Sequence, residues 1–300
     1  MSEPNASSET RAGGGLRRRR RRPRRAAVTG DGFEGRGALH RHLRLVAVQL
    51  RLRVLAALEY RTGFWSGGVL SLVWSIAGTV PLVVALEHRA DIAGWTPWAL
   101  CMLVGCHMII TGLFGALVQP SLYAAMDDIR TGALDYLLLR PVDALVSCLV
   151  ADFEPWCLVE AVAGVGLLIV GMVGSGVHPS LPQLLTMALV LGCGVMALYA
   201  LAVLALSLAF AALELQNLAY LMEAMLDFAR WPISVFRGPL RALFTFVVPF
   251  AIMTSYPPMA LLGRLDASAA VGALVTAVVL AGLARATWQR ALRGYTSASS

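Results

Sequence analysis

The sequence has little charge and contains no lysine. Only 14% of its 300 residues are charged, 58% are hydrophobic, and all 25 basic residues are arginine. A soluble globular domain carries roughly a quarter charged residues, so this composition excludes an ordinary soluble protein and favours a membrane protein. The absence of lysine indicates a coding bias more than a mechanism, although arginine also matches the geometry of phosphate and carboxylate groups.

Sequence motifs for catalysis and metal binding are absent as well. The chain has no GxxxxGK[ST] loop for nucleotide phosphates and no HExxH or GxSxG motif. Its five cysteines lie in or beside apolar segments without a CxxC pair. That pattern favours small buried side chains over a zinc or redox site. We therefore predict no catalytic residue, no metal site and no cofactor held by this chain.

The positive charge is concentrated near the N-terminus. Residues 1–37 contain ten arginines and four acids, whereas the remaining residues are close to neutral. This segment is too poor in apolar residues to form a core, so we predict a disordered cytoplasmic tail attracted to anionic lipid. A basic run alone is a weak nucleic-acid motif, and we predict no nucleic-acid partner. The arginines also favour a cytoplasmic N-terminus.

Long apolar segments follow the basic tail. Residues 38–62 have apolar residues every three or four positions, which predicts an amphipathic helix lying in the membrane interface. Further along, several runs approach the roughly 20 residues needed to cross a bilayer. The fold class that these patterns predict is an all-α, polytopic membrane protein. The clear spans are 63–86, 95–118, 156–174, 184–210 and 267–286, followed by a cytoplasmic tail at 288–300.

The sequence allows two topologies between residues 211 and 265. In the first, 211–242 form a cytoplasmic loop and 243–262 form a fifth span, which the arginines of the loop favour. In the second, 213–229 cross the membrane despite their polar residues, and the segment after them is a re-entrant hairpin. The prolines between 232 and 258 favour broken helical pieces. Both topologies give six spans with cytoplasmic termini, and the residues alone leave the choice open.

Residues 119–141 form a polar, amphipathic island between apolar segments. Leu134, Leu137 and Leu138 fall on one helical face and could anchor the segment in a groove of a partner protein. The alternative is a helix that only lies on lipid, but acidic side chains are unfavourable beside anionic headgroups. We therefore expect the segment to dock on a partner through its leucines and its acids. The acids are Asp127, Asp128 and Asp135.

Three further acids fall within predicted spans. Glu160 lies in the third span, and Glu223 and Asp227 lie in the fifth span of the second topology. Charges at this depth cost a few kcal/mol and usually face a cavity or a partner. They either line a substrate path that favours cationic amphiphiles or pair within the bundle or with a second membrane subunit. For His107, in the second span, we expect a neighbouring carbonyl to satisfy the ring.

Three elements together resemble the permease subunits of ABC-2 type exporters, over roughly residues 55–290. The first, EYRTGFW at 59–65, looks like the "YR" element that begins the first span. The second and most specific, IRTGALDYLLLRPV at 129–142, is similar to the cytoplasmic element I-x-x-G-x-L-x-x-L-L-x-x-P. The third resembles the re-entrant element before the last span. It comprises Trp231-Pro232, Phe236, Leu240-Arg241, Val248-Pro249-Phe250 and Tyr256-Pro257-Pro258.

The resemblance implies the second topology. The transmembrane domain then covers 63–287, with the fifth span at 213–229 and a re-entrant region at 231–264 on the outer side. Four arginines would lie outside, against the positive-inside rule. These are Arg230, Arg237, Arg241 and Arg264.

The resemblance also implies a transport subunit rather than an enzyme. A separate ABC ATPase would bind ATP and Mg²⁺, and a second permease copy or paralogue would complete a dimer in a bacterial plasma membrane. The substrate expected is drug-like, lipid-like or otherwise amphiphilic, and its direction is export. The island would be a cytoplasmic coupling helix for the ATPase. Its candidate residues are Asp127, Asp128, Arg130, Gly132, Leu134, Asp135, Leu137, Leu138, Arg140 and Pro141.

Two other functions remain open on the residues alone. A secondary transporter could use Glu160, Glu223 and Asp227 as a proton relay. Internal inverted repeats would favour that function, and none is evident by inspection. A non-transporting membrane anchor could instead recruit a partner through its basic tail.

Overall fold

The computed structural model describes residues 61–88, 90–138, 152–210 and 215–294, together with four single positions. The single positions are Val48, Arg51, Leu55 and Leu145. The predicted tail at 1–37 and nearly all of the predicted interfacial helix at 38–62 lie outside the described residues. All described residues belong to one unit, residues 41–300.

The described part of the chain is helical and contains no β-strand, with one isolated bridge between Ile92 and Trp95. This confirms the predicted all-α membrane fold. Two π-helical stretches, Leu243–Val247 and Ala251–Ser255, separate the short helices before the last long one. In chain order the α-helices are α1 Arg61–Glu87, α2 Pro97–Leu117, α3 Gln119–Thr131, α4 Leu134–Leu138, α5 Leu158–Ser175, α6 Leu181–Ala209, α7 Leu215–Phe228, α8 Pro239–Ala242, α9 Tyr256–Leu261 and α10 Ala267–Gly294.

Five helical segments in the described residues are long and apolar enough to cross a membrane. The predicted fifth span corresponds to α7, whose 14 residues reach about 21 Å at 1.5 Å per residue. That is shorter than the roughly 30 Å of a bilayer's hydrocarbon core, so the count of six spans stays a prediction. The five candidates are Trp65–Glu87, Pro97–Thr131, Pro155–Ser175, Leu181–Leu208 and Ala267–Gly294.

Helix α2 is at the centre of the bundle and packs most closely on α5. A Cβ built on Gly105 would lie 2.7 Å from the carbonyl oxygen of Gly164, and one built on Gly164 would lie 2.6 Å from that of Gly105. Only glycine allows two helix backbones to approach in this way, as is common between helices in membranes. Thr96 caps the start of α2, since its hydroxyl accepts a hydrogen bond from the Ala99 amide at 3.3 Å.

The polar island is not one continuous helix. Helix α3 ends at Thr131, the next residue, Gly132, has a left-handed φ of 77°, and α4 begins at Leu134. Glycine adopts this conformation without a steric penalty and commonly ends helices in this way. The predicted coupling helix at 119–141 is therefore divided at Gly132.

The region between α7 and α10 also breaks into short pieces. Residues 243–262 form two π-helical stretches and α9 rather than one span. Pro249 lies between the two stretches, and Pro257 and Pro258 lie in the first turn of α9, where proline is tolerated. The indole nitrogen of Trp95 donates a hydrogen bond to Ser234 Oγ at 3.2 Å, and Ser234 Oγ donates to the Ala93 carbonyl at 3.2 Å. The start of this region thus contacts the loop between α1 and α2.

Candidate substrate cleft and coupling surface

A polar cleft of about 900 Å³ lies among α1, α2, α5 and α7. The three acids that the sequence places within spans all line it, although they come from two helices far apart in sequence. The cleft also has apolar and aromatic walls. Its lining includes Ser71, Trp74, Gly78, His107, Thr111, Phe114, Gln119, Glu160, Glu223, Asp227, Phe228, Arg230 and Trp231.

Glu160, on α5, accepts hydrogen bonds from two other helices. Ser71 Oγ on α1 donates to Glu160 Oε2 at 2.8 Å, and Thr111 Oγ1 on α2 donates to Glu160 Oε1 at 2.8 Å. A carboxylate accepts bonds at both oxygens, so both donors are well placed for the ionised form. Because both donors are neutral, they do not offset its negative charge.

Glu223, on α7, is held by two residues of α3. Gln119 Nε2 and Tyr123 OH both donate to Glu223 Oε1, the tyrosine at 2.8 Å. These donors are neutral too. The bonds connect the acidic cleft directly to the helix that the sequence predicts to contact a partner.

Among the described residues, Arg230 is the one arginine that lines the cleft. Its Nη2 atom lies 2.6 Å from Asp227 Oδ1, and the arginine side chain is 13% exposed while the aspartate is 71% exposed. The guanidinium lies against the backbone of Gly78 in α1, where any side chain would collide with it. Arg230 Nε is buried without a hydrogen-bond partner in the described structure.

His107, on α2, faces the same cleft and is buried. Its Nδ1 atom has no hydrogen-bond partner in the part of the chain that the structure describes. The expectation that a neighbouring carbonyl satisfies the ring is therefore wrong for this nitrogen. Together with Arg230 Nε, it is one of two buried polar atoms of cleft residues that have no hydrogen-bond partner in the described residues.

The outer face of α3 is charged. Asp127 Oδ1 and Arg130 Nη2 form an ion pair at 2.9 Å, and both side chains are exposed. Asp128 and Asp135 are half-buried. The opposite face packs into the core through apolar residues. These are Leu122, Ala125, Met126 and Ile129.

Leu134 does not have the role that the sequence suggests. Its side chain is fully buried in the chain's own core, so it cannot insert into a groove of a partner. Tyr136, two residues later, is 76% exposed. The side chains of Leu137 and Leu138 lie outside the described structure, as do Arg140 and Pro141, so their predicted role stays a prediction.

Helix α3 is anchored near its start to the chain before α5. Ser121 Oγ donates a hydrogen bond to the Asp152 carbonyl at 2.7 Å and accepts one from the Asp152 amide at 3.0 Å. Close by, burial raises the pKa of the Glu154 carboxyl, and the neighbouring Asp152 raises it further. The amide of Glu154 donates to the Ala116 carbonyl at 2.9 Å.

The sequence indicates the acids of the cleft but not the residues that hold them. The only signal for these residues is the presence of single polar or small side chains within apolar runs, which is weak because such residues are common in helical membrane proteins. Their shared position becomes apparent only after the helices pack. The missed residues are Ser71, Gly78, Thr111, Gln119 and Tyr123.

Comparison with known families agrees with this architecture. Residues 72–299 match the family model described as an ABC-2 family transporter protein. No curated protein and no solved structure matches the chain. The family match includes the charged helix α3, the broken region before α10 and the cleft lining except Ser71, and the described helices provide several membrane crossings. The chain belongs to the ABC-2 transporter family and is a multi-pass membrane permease of an ABC transporter.

Proposed function

We propose that the chain is the permease of an exporter that moves cationic amphiphiles out across the cytoplasmic membrane, with ATP hydrolysed by a separate ABC ATPase. The observation that carries the proposal is the charge of the cleft. Glu160, Glu223 and Asp227 line it together with Arg230, the cleft's single arginine within the described structure. A cleft with excess negative charge and low-dielectric walls concentrates cations, and charges within membranes commonly mark substrate or ion paths.

The walls of the cleft support an amphiphilic substrate. Trp74 and Trp231 line it together with Phe114 and Phe228. Aromatic faces accept apolar groups, and tryptophan also attracts organic cations through its ring. A substrate with a positive charge beside an apolar body matches both parts of this lining.

The contacts of Glu223 support a route for coupling. Helix α3 presents Asp127 and Arg130 at its surface, and the same helix holds Glu223 through Gln119 and Tyr123. A displacement of α3 by a docked ATPase would therefore move donors that contact the cleft. We infer that two permeases, each docked on an ATPase through this surface, alternate between inward-open and outward-open states.

The test uses the full chain with its ATPase in liposomes. Uptake of a fluorescent quaternary ammonium amphiphile into liposomes whose ATPase faces outward is compared with uptake of its neutral isostere. We expect ATP-dependent, vanadate-sensitive uptake that favours the cation by about tenfold, which corresponds to about 1.4 kcal/mol. Equal uptake of the two probes would contradict selection by the acids. Transport driven by a proton gradient without ATP would instead support a secondary transporter.

A further inference from the structure

Three arginines of the region between α7 and α10 lie outside the lining of the cleft: Arg237, Arg241 and Arg264. Arg230 is paired with Asp227, but Arg241 and Arg264 form no side-chain hydrogen bond or ion pair in the described residues. In the predicted topology they lie on the outer side, where the positive-inside rule disfavours arginine. Charges that oppose this rule need another explanation, and binding of an anion is the most direct one.

Arg241 and Arg264 line the same concave surface, although 23 positions separate them in the sequence. Two adjoining cavities, of about 490 Å³ and about 140 Å³, share both arginines as well as Ile233 and Met259. We call these two cavities the arginine pocket. The larger one is also lined by Tyr256, which is half-buried. The fold of the region thus brings two unpaired guanidinium groups to one pocket.

The other polar residues of the pocket do not neutralise it. Thr245 Oγ1 donates a hydrogen bond to the backbone carbonyl of Arg241 at 2.7 Å, which fixes the turn that carries the arginine. Asp266 is the acid of the larger cavity, and it forms no ion pair with either arginine. The described lining therefore has two positive charges and one negative charge.

We propose that the arginine pocket binds a phosphate group, carried either by the headgroup of a phospholipid or by free phosphate. A guanidinium group donates parallel hydrogen bonds that match phosphate oxygens, and two of them on one pocket can contact different oxygens of the same phosphate. The neighbouring surface favours a lipid as the source. Leu240 and Leu243, on either side of Arg241, are 49% and 41% exposed, which suits contact with acyl chains below a headgroup.

The test measures binding to the purified full chain in an uncharged detergent at constant ionic strength. Three probes separate the sources: inorganic phosphate, dihexanoyl phosphatidylglycerol, and dihexanoylglycerol, which has the same acyl chains without phosphate. The variants are Arg241→Gln and Arg264→Gln, with Arg241→Lys to retain the charge without the planar fork. The control is Arg237→Gln, because Arg237 is exposed in the same region but lies outside the lining of both cavities.

We expect at least one phosphate-bearing probe to bind, with a Kd raised about tenfold or more in each glutamine variant. Arg241→Lys should give a smaller loss, and Arg237→Gln should bind like the unaltered chain. Binding of phosphatidylglycerol alone assigns the site to a lipid, and equal binding of inorganic phosphate assigns it to the free anion. Three results would overturn the proposal: no binding of either phosphate probe, equal binding of dihexanoylglycerol, or an equal loss in Arg237→Gln. Two separate arginine variants keep the test decisive if one of them does not fold.

Discussion

The guanidinium of Arg230 lies directly against the backbone of Gly78, in the space that a side chain at position 78 would occupy. This contact joins the residue after the fifth predicted span to the middle of α1, and it holds Arg230 where it pairs with Asp227. Since the fit depends on the absence of a side chain, the position of the arginine can be changed without removing any charge.

Gly78→Ala should displace Arg230 and disturb the cleft while leaving the protein folded. Alanine favours a helix over glycine by up to about 1 kcal/mol, so the unfolding temperature should not fall steeply. We expect ATP-driven transport of the cationic probe to fall by about tenfold, equivalent to about 1.4 kcal/mol in the transition state. The matched control is Gly166→Ala in α5, because nothing lies within 4 Å of a Cβ there. Unchanged transport by Gly78→Ala would show that transport does not depend on the position of Arg230.

Glu223→Gln should reduce transport of cations selectively. Glutamine keeps an acceptor oxygen for Gln119 and Tyr123, so the packing of α7 on α3 should survive while the charge is lost. We expect transport of the cationic probe to fall by about threefold to tenfold, or about 0.7–1.4 kcal/mol, with little change for the neutral isostere. Asp91→Asn, in the exposed loop after α1, controls for the loss of one negative charge. An equal loss for both probes would indicate a structural role for Glu223.

Exchanging the charges of Asp127 and Arg130 should separate docking from stability. The variant with Asp127→Arg and Arg130→Asp retains an ion pair at the same spacing, and an exposed pair contributes less than about 1 kcal/mol in any case. We expect unchanged thermal unfolding of the permease but weaker association with the ATPase and less transport. Co-purification at several salt concentrations measures the association. If the exchanged variant binds the ATPase and transports normally, the ATPase does not recognise the charges of this surface.

Leu134→Ala and Tyr136→Ala should impair different properties, although only one residue lies between them. The first should lower stability, and the second should weaken binding of the ATPase. Leu134 is fully buried, so its truncation should lower the free energy of unfolding by about 2–5 kcal/mol. Tyr136 is exposed, so its truncation should change stability by less than about 0.5 kcal/mol and instead weaken binding of the ATPase. Thermal unfolding and co-purification distinguish the two effects. A large loss of stability in Tyr136→Ala would contradict the assignment of its side chain to the surface.

Much of the fold follows from the local order of residues. Long apolar runs predict membrane helices because each backbone polar group must be satisfied within its own segment. The bounds of α1, α2, α5 and α6 agree with the predicted spans within a few residues. Helix α10 begins where its span is predicted to begin but continues to Gly294. The prolines between 249 and 258 predict a broken region because proline lacks the backbone N–H that a continuous helix needs. These properties need no knowledge of packing.

The tertiary structure alone decides which side chains share a site. The sequence predicts that Glu160, Glu223 and Asp227 face a cavity or a partner, but not that one cleft contains all three or that Gly78 makes room for Arg230. It also predicts that Leu134 faces a partner, because helical periodicity identifies an apolar face without showing what covers it. The side chain of Leu134 is instead buried in the chain's own core. Periodicity is a local property, whereas the neighbours of a side chain depend on how helices distant in sequence pack together.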